Sequence, residues 1–214
     1  MKVAGFAGYS GSGKTTLVEQ IIPLLRQQGL RVSVVKHAHH RFDIDQPGKD
    51  SWRHRQAGAF EVVIASDRRL ALVREFEQPA QLTVHQMLAE LYEGVDWVLV
   101  EGFKESDILK IEVWRESTDA QNPRPVRYPE DDFIVAIATD DAQRLPQPTQ
   151  LPVLDMNQPA QVAQWLLAQG ERPADALATA AQMSIATAWQ PLQVLRAARR
   201  VETRREPQRI HYRL

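Results

Sequence analysis

Short apolar runs alternate with longer amphipathic ones along residues 1–170, and that alternation predicts a mostly parallel sheet with crossover helices. The strand-like runs are Val3–Ala7, Val32–Lys36, Glu61–Ala65, Leu70–Val73, Trp97–Val100, Ile111–Trp114, Phe133–Ala138 and Pro152–Leu154. Several are continuous rather than alternating, as strands buried on both faces are. Helical patterns fall between them. The first spans about Lys14–Gln28 and stops at Gly29, a natural residue just past a helix end. Pro23 lies inside it and removes one helical hydrogen bond, which predicts a kink or an early end. Further helices are expected over Ser51–Ala57, closed by Gly58, over Thr83–Tyr92 with Thr83 as N-cap, and over Ala160–Gln169.

Two proline-interrupted loops break the pattern. Arg115–Glu130 is long and polar, with Pro123, Pro125 and Pro129, and loops of that length inside compact domains are usually functional or mobile. Leu145–Pro152 reads as a plain connector. Composition then shifts after Gly170. Arg172, Arg196, Arg199, Arg200, Arg204, Arg205, Arg209 and Arg213 face only Glu171, Asp175, Glu202 and Glu206. The expected organisation is one domain over residues 1–170 and an Arg-rich extension over 171–214. The extension shows helical patterns at Ala174–Gln182 and Leu192–Arg200, then polar residues without periodicity, so it reads as helical or partly disordered.

The formal net charge of the 214 residues is −1, so nothing pulls the whole chain toward nucleic acid or anionic lipid. There are no cysteines, which excludes disulfides, thiolate metal sites and a cysteine nucleophile. No stretch approaches the ~20 apolar residues needed to span a bilayer. The short apolar segment after Lys2 runs straight into the best motif of the chain, so it is read as structure rather than as a cleaved signal, and a cytoplasmic protein is expected.

That motif is Gly8-Tyr9-Ser10-Gly11-Ser12-Gly13-Lys14-Thr15, a full G-x-x-x-x-G-K-[ST] phosphate loop with a strand before it and a helix after it. Glycines let successive backbone N–H groups curl around a phosphate, and the helix N-terminus adds unpaired donors and its positive dipole end. Lys14 would reach the outer phosphates and the Thr15 hydroxyl would ligate Mg²⁺. A second acidic signature is Trp97-Val98-Leu99-Val100-Glu101-Gly102-Phe103-Lys104, an apolar strand ending in a carboxylate. Glu101 would hold Mg²⁺ directly or through a water.

Two further segments carry chemistry with alternatives open. The run Lys36-His37-Ala38-His39-His40-Arg41-Phe42-Asp43-Ile44-Asp45, continuing to Lys49 and Ser51, follows a strand and should sit at the carboxyl edge of the sheet. It reads as a switch segment bringing Asp43 or Asp45 toward Mg²⁺ and Lys36 and Lys49 toward phosphate, as a histidine metal site on His37, His39 and His40, or as a solvated loop. At Ala138-Thr139-Asp140-Asp141, Asp140 or Asp141 could accept both N1–H and N2–H₂ of guanine, choosing GTP over ATP. Alternatively Asp141 merely starts a helix. No N-K-x-D motif is present.

Taken together, Gly8–Thr16, Val35-Lys36-His37-Ala38-His39-His40, Asp45-Gln46-Pro47-Gly48-Lys49-Asp50-Ser51, Arg55-Gln56-Ala57-Gly58-Ala59, Val98–Lys104 and Ala136–Asp140 resemble the molybdopterin-guanine dinucleotide biosynthesis protein B (MobB) family over residues 1–170. The resemblance implies an α/β phosphate-loop NTPase fold and a homodimer that binds GTP and Mg²⁺ with weak intrinsic GTPase activity. It implies partnership with a molybdenum cofactor guanylyltransferase acting on molybdopterin. On matching positions, Gly8, Ser10, Gly11, Ser12, Gly13, Lys14, Thr15 and Thr16 form the phosphate-binding set. Lys36 and Asp140 join the nucleotide contacts. Lys14 and Glu101 are the catalytic candidates, and Thr15, Asp45 and Glu101 the Mg²⁺ candidates. Weak hydrolysis agrees with the residues, since none is clearly placed as a water-positioning group or a transition-state arginine.

Two other readings compete with this one. A small-molecule kinase would use ATP and close Arg115–Glu130, with Arg124 and Arg127, as a lid. A third makes the basic tail an RNA- or partner-binding element and the nucleotide site regulatory, and RNA fits less well because the tail's arginines lack interleaved aromatics apart from Tyr212.

Overall fold

The computed structural model describes residues 1–38, 42–119 and 121–170, and the strands within 202–213. In chain order the elements are β1 (Lys2–Ala7), α1 (Lys14–Gln27), β2 (Val32–Lys36), α2 (Asp50–Gln56), β3 (Glu61–Ala65), β4 (Leu70–Arg74), α3 (Val84–Ala89), β5 (Trp97–Glu101), β6 (Lys110–Trp114), β7 (Ile134–Thr139), β8 (Val153–Asp155), α4 (Pro159–Gly170), β9 (Glu202–Glu206) and β10 (Arg209–Arg213). The chain divides into two compact units, Met1–His37 with Thr83–Leu214, and Ala38–Leu82.

The first unit holds a six-stranded sheet in the order β2-β5-β1-β6-β7-β8, every pair parallel. All five residues of β5 and of β6 are buried, which accounts for the continuous apolar run Trp97–Val100, while β6 buries Lys110 and Glu112 as well. Side chains of opposite parity feed two cores. Leu99 joins Phe6, Ile111, Leu17, Ile21, Leu25, Val162 and Leu166 in one. Val98 and Val100 join Val35, Val84, Leu88 and Ile108 in the other. Helices α1 and α4 therefore cover one face and α3 the other. A complete capping box, Thr83 with Gln86, starts α3 as expected.

Helix α1 runs through Pro23 to Gln27, so the early end predicted there does not occur. Pro23 and Glu19, whose carbonyl loses its partner, are both exposed to water, while Leu17, Val18, Ile21 and Leu25 anchor the opposite face.

In the second unit, β3 and β4 form a separate antiparallel hairpin rather than joining the parallel sheet. The connection Ser66–Arg69 is far shorter than the dozen or so residues a parallel crossover requires. At the chain end, β9 and β10 pair antiparallel, within the stretch that the sequence marks as polar and without periodicity. In the register of this hairpin Glu206 pairs with Arg209 and Glu202 with Arg213. The helical patterns at Ala174–Gln182 and Leu192–Arg200 lie outside the described residues.

Candidate nucleotide site

Strand β1 lies inside the sheet and ends in the turn Gly8–Gly13 that leads into α1. Two glycines there are obligatory. A Cβ on Gly8 (φ 141°) would fall 2.3 Å from the Val113 carbonyl oxygen, and Gly13 takes a left-handed φ of 95° as the residue capping α1. Ser10 and Gly11 lie exposed on the turn, whereas Ser12 is fully buried and its Oγ has no hydrogen-bond partner among the described residues. A buried orphan hydroxyl costs stability unless something fills its valence. That, and the glycine cradle, suits an anion seated in the turn. Thr16 is exposed in the first turn of α1.

The Lys14 Nζ donates 2.8 Å across the loop to the Tyr9 carbonyl. Burial lowers its pKa below the ordinary 10.5; Glu101 opposes that shift, and Arg124 and Lys36 add to it. Cations thus gather around the loop.

Register brings the acidic residue to the loop. Phe6 of β1 and Lys36 of β2 both lie opposite Glu101 of β5, so the three strand ends share one row. Glu101, 8 % exposed, accepts 2.6 Å from the Thr15 hydroxyl and pairs with Lys36 Nζ at 3.3 Å. The following turn is tight: Gly102 has φ 95°, and a Cβ there would lie 3.0 Å from His37 Cβ. Lys14, Thr15, Lys36 and Glu101, four residues singled out from sequence, therefore converge. Thr15 and Glu101 present oxygen atoms, the donor type a hard divalent cation takes.

The loop after β6 leans on the same turn. The buried Glu112 carboxylate accepts from the Arg127 N–H at 2.9 and 3.0 Å and from the Tyr128 N–H at 2.8 Å. Burial raises the Glu112 pKa, and those two amides oppose the rise. The Trp114 indole donates 3.1 Å to the Arg124 carbonyl. Above Tyr9, Lys104 Nζ sits 4.8 Å from the ring centroid. Glu112 was absent from the candidate residues; a carboxylate inside the run Ile111-Glu112-Val113-Trp114 was the signal available.

Other candidates are held differently. Asp140 pairs with Arg115 at 2.8 Å, at the carboxyl end of β7. Asp141 caps a short 3₁₀ turn, accepting from the Gln143 N–H at 2.9 Å, which matches its helix-starting reading. Asp45 belongs to the second unit, where Ser51 donates to it at 2.8 Å and Arg55 lies at 3.2 Å. Arg55 also binds Asp43 and Glu75, and the bond from Arg55 holds the Asp43 carboxyl below the ordinary range. His39 and His40 lie outside the described residues. Among the described residues no group of three histidine or carboxylate side chains is placed to hold a metal ion.

A parallel sheet with this strand order, a glycine turn leaving an inner strand and an acid on the neighbouring strand define a phosphate-loop α/β protein. Within that class, the chain belongs to the family described as molybdopterin guanine dinucleotide synthesis protein B, MobB, whose family model matches residues 3–140. A molybdopterin-guanine dinucleotide biosynthesis adapter protein of Haemophilus influenzae is 40 % identical over 164 residues, 76 % of this chain and 85 % of that relative. The adapter protein of the same name from Escherichia coli is 38 % identical over 153 residues, 71 % of this chain and 83 % of that relative. The crystal structure of Bacillus subtilis MobB superposes with a TM-score of 0.59 at 26 % identity, covering 79 % of this chain and 98 % of that one.

Proposed function

We propose that this protein binds GTP with Mg²⁺ in the phosphate loop and serves as an adapter in molybdenum cofactor maturation, holding the nucleotide beside a guanylyltransferase that acts on molybdopterin. Family membership and the adapter names of its relatives support the maturation role. The observation that carries the nucleotide reading is Glu101, held 2.6 Å from the Thr15 hydroxyl at the mouth of the glycine turn.

Each residue then has a task. Backbone N–H groups of the turn Gly8–Gly13 and of the start of α1 would cradle phosphate. The Lys14 ammonium would exchange the Tyr9 carbonyl for an outer phosphate. Thr15 and Glu101 would hold Mg²⁺, which supplies neutralising charge between phosphates. Lys36 orients Glu101 through their 3.3 Å ion pair. Asp140 is the candidate for the guanine edge. Asp45, the remaining Mg²⁺ candidate, is engaged by Ser51 and Arg55 within the second unit.

The hairpin of the second unit supports a homodimer. Val63 lies opposite Leu72 and Ala65 opposite Leu70, and Val63, Leu70 and Leu72 are 56 %, 68 % and 43 % exposed. That apolar row suits a second copy of the chain. A cytoplasmic location accompanies the same reading.

The test is a competition titration of a fluorescent guanine nucleotide with GTP and ATP in Mg²⁺, on the wild-type protein and Lys14→Ala. GTP preference, lost with Lys14→Ala, is the expected result. ATP preference, or equal affinity of the two proteins, overturns it.

A further inference from the structure

The guanidinium of Arg124 is the observation that the site described so far leaves unused. It stands in the proline-interrupted loop between β6 and β7, yet its Nη2 lies 3.4 Å from where a Cβ would stand on Gly11. That distance puts it against the phosphate loop itself.

Three anchors hold it there. The Trp114 indole, 3 % exposed, fixes the Arg124 carbonyl. The Arg124 Nη1 donates to the carbonyls of Arg115 and Glu116. The Glu112 clamp fixes Arg127 and Tyr128 just downstream, and the Arg127 guanidinium reaches the Tyr9 side chain. Loop and phosphate turn thus touch at Gly11 and again at Tyr9.

The fork is used on one side only. Both Nη1 hydrogens have carbonyl acceptors, whereas Nη2 has no acceptor and the guanidinium no carboxylate partner among the described residues. Lys14 feels the Arg124 charge as a repulsion. Two cations that repel one another beside a glycine turn suit an anion bound between them. Lysine of a phosphate loop reaches the outer phosphates, so a cation coupled to it stands at the outer end of the bound chain of phosphates.

We propose that Arg124 contacts the terminal phosphate of the bound nucleotide with its Nη2 edge, so that the site distinguishes a nucleoside triphosphate from a diphosphate. This rests on the nucleotide reading above and adds to it a residue that reads the third phosphate. Rigid mounting matters here, because an arginine ordered in advance loses less freedom on binding than a mobile one.

The experiment is a calorimetric titration of wild type, Arg124→Ala and Arg124→Lys with GDP and with a β,γ-imido analogue of GTP, in Mg²⁺. Loss of one charge-assisted contact predicts about tenfold weaker binding of the triphosphate to Arg124→Ala and less than about twofold for GDP. Arg124→Lys keeps the charge without the fork and recovers part of the triphosphate affinity. Thermal melting checks that each variant is folded. Equal weakening of both nucleotides overturns the proposal, because a loosened loop would do that, and so does an unchanged triphosphate affinity. Wild type that binds neither nucleotide removes the nucleotide reading itself, an outcome separable from the other two.

Discussion

Replacing Glu112 with alanine tests whether the loop bearing Arg124 is built on a single buried carboxylate. Glu112 is fully buried and takes the amide hydrogens of both Arg127 and Tyr128. Its removal leaves two donors without acceptors, each costing about 1–3 kcal/mol. Two effects reduce the sum. The Arg127 contacts are only partly buried, so water can replace one of them. Losing the carboxylate also relieves the burial cost that raises its pKa. The net expectation is a loss of about 2–4 kcal/mol, a large share of an ordinary domain's stability of about 5–15 kcal/mol. With a urea dependence of about 1–3 kcal/mol per molar, the unfolding midpoint falls by about 1–2 M. Circular dichroism during urea titration measures it. Glu112→Gln loses less, since one carbonyl can take over the Oε2 contacts to Tyr128 and Arg127 at 2.8 and 3.0 Å. A midpoint within about 0.3 M of wild type for Glu112→Ala would refute the reasoning, because two orphaned buried donors could not cost so little.

Nucleotide affinity is expected to depend on pH through Lys14. Burial holds its pKa below 10.5 in the free protein, and a bound phosphate restores it, so binding takes up a proton at alkaline pH. Affinity is full below the depressed pKa and falls as pH rises through it; titrations from neutral to alkaline pH show this, and Lys14→Arg abolishes the slope. Asp140→Asn presents an amide donor to guanine's donors and breaks the pairing with Arg115, and about tenfold weaker GTP binding with ATP unchanged is expected. Parallel loss of GTP and ATP in the same fluorescence competition would remove Asp140 from base recognition.

Much of the first unit was legible because its signals are local. A strand buried on both faces writes itself as an apolar run, as Trp97–Glu101 does. The phosphate loop writes itself as glycines, because Gly8 and Gly13 occupy backbone positions that side chains resist. Thr83 and Gln86 close a capping box across a single turn. Signals fail where two outcomes share one local pattern. Glu61–Ala65 and Leu70–Arg74 read as strands, but a run of apolar residues does not say which sheet it joins. Pro23 reads as a helix breaker, and the packing of Leu17, Val18, Ile21 and Leu25 overrides it.

By itself the sequence determined the order and type of most elements of the first unit, the glycine turn and the identity of its lysine and threonine, because each depends on neighbours a few residues apart. Only the tertiary structure decided that Glu101 meets both Thr15 and Lys36, that Asp140 faces Arg115, that Glu112 clamps a distant loop and that Arg124 rests on Gly11. Those partners lie far apart along the chain. Strand order and register bring them together, and they are set by the burial of whole faces, not by any short stretch of residues.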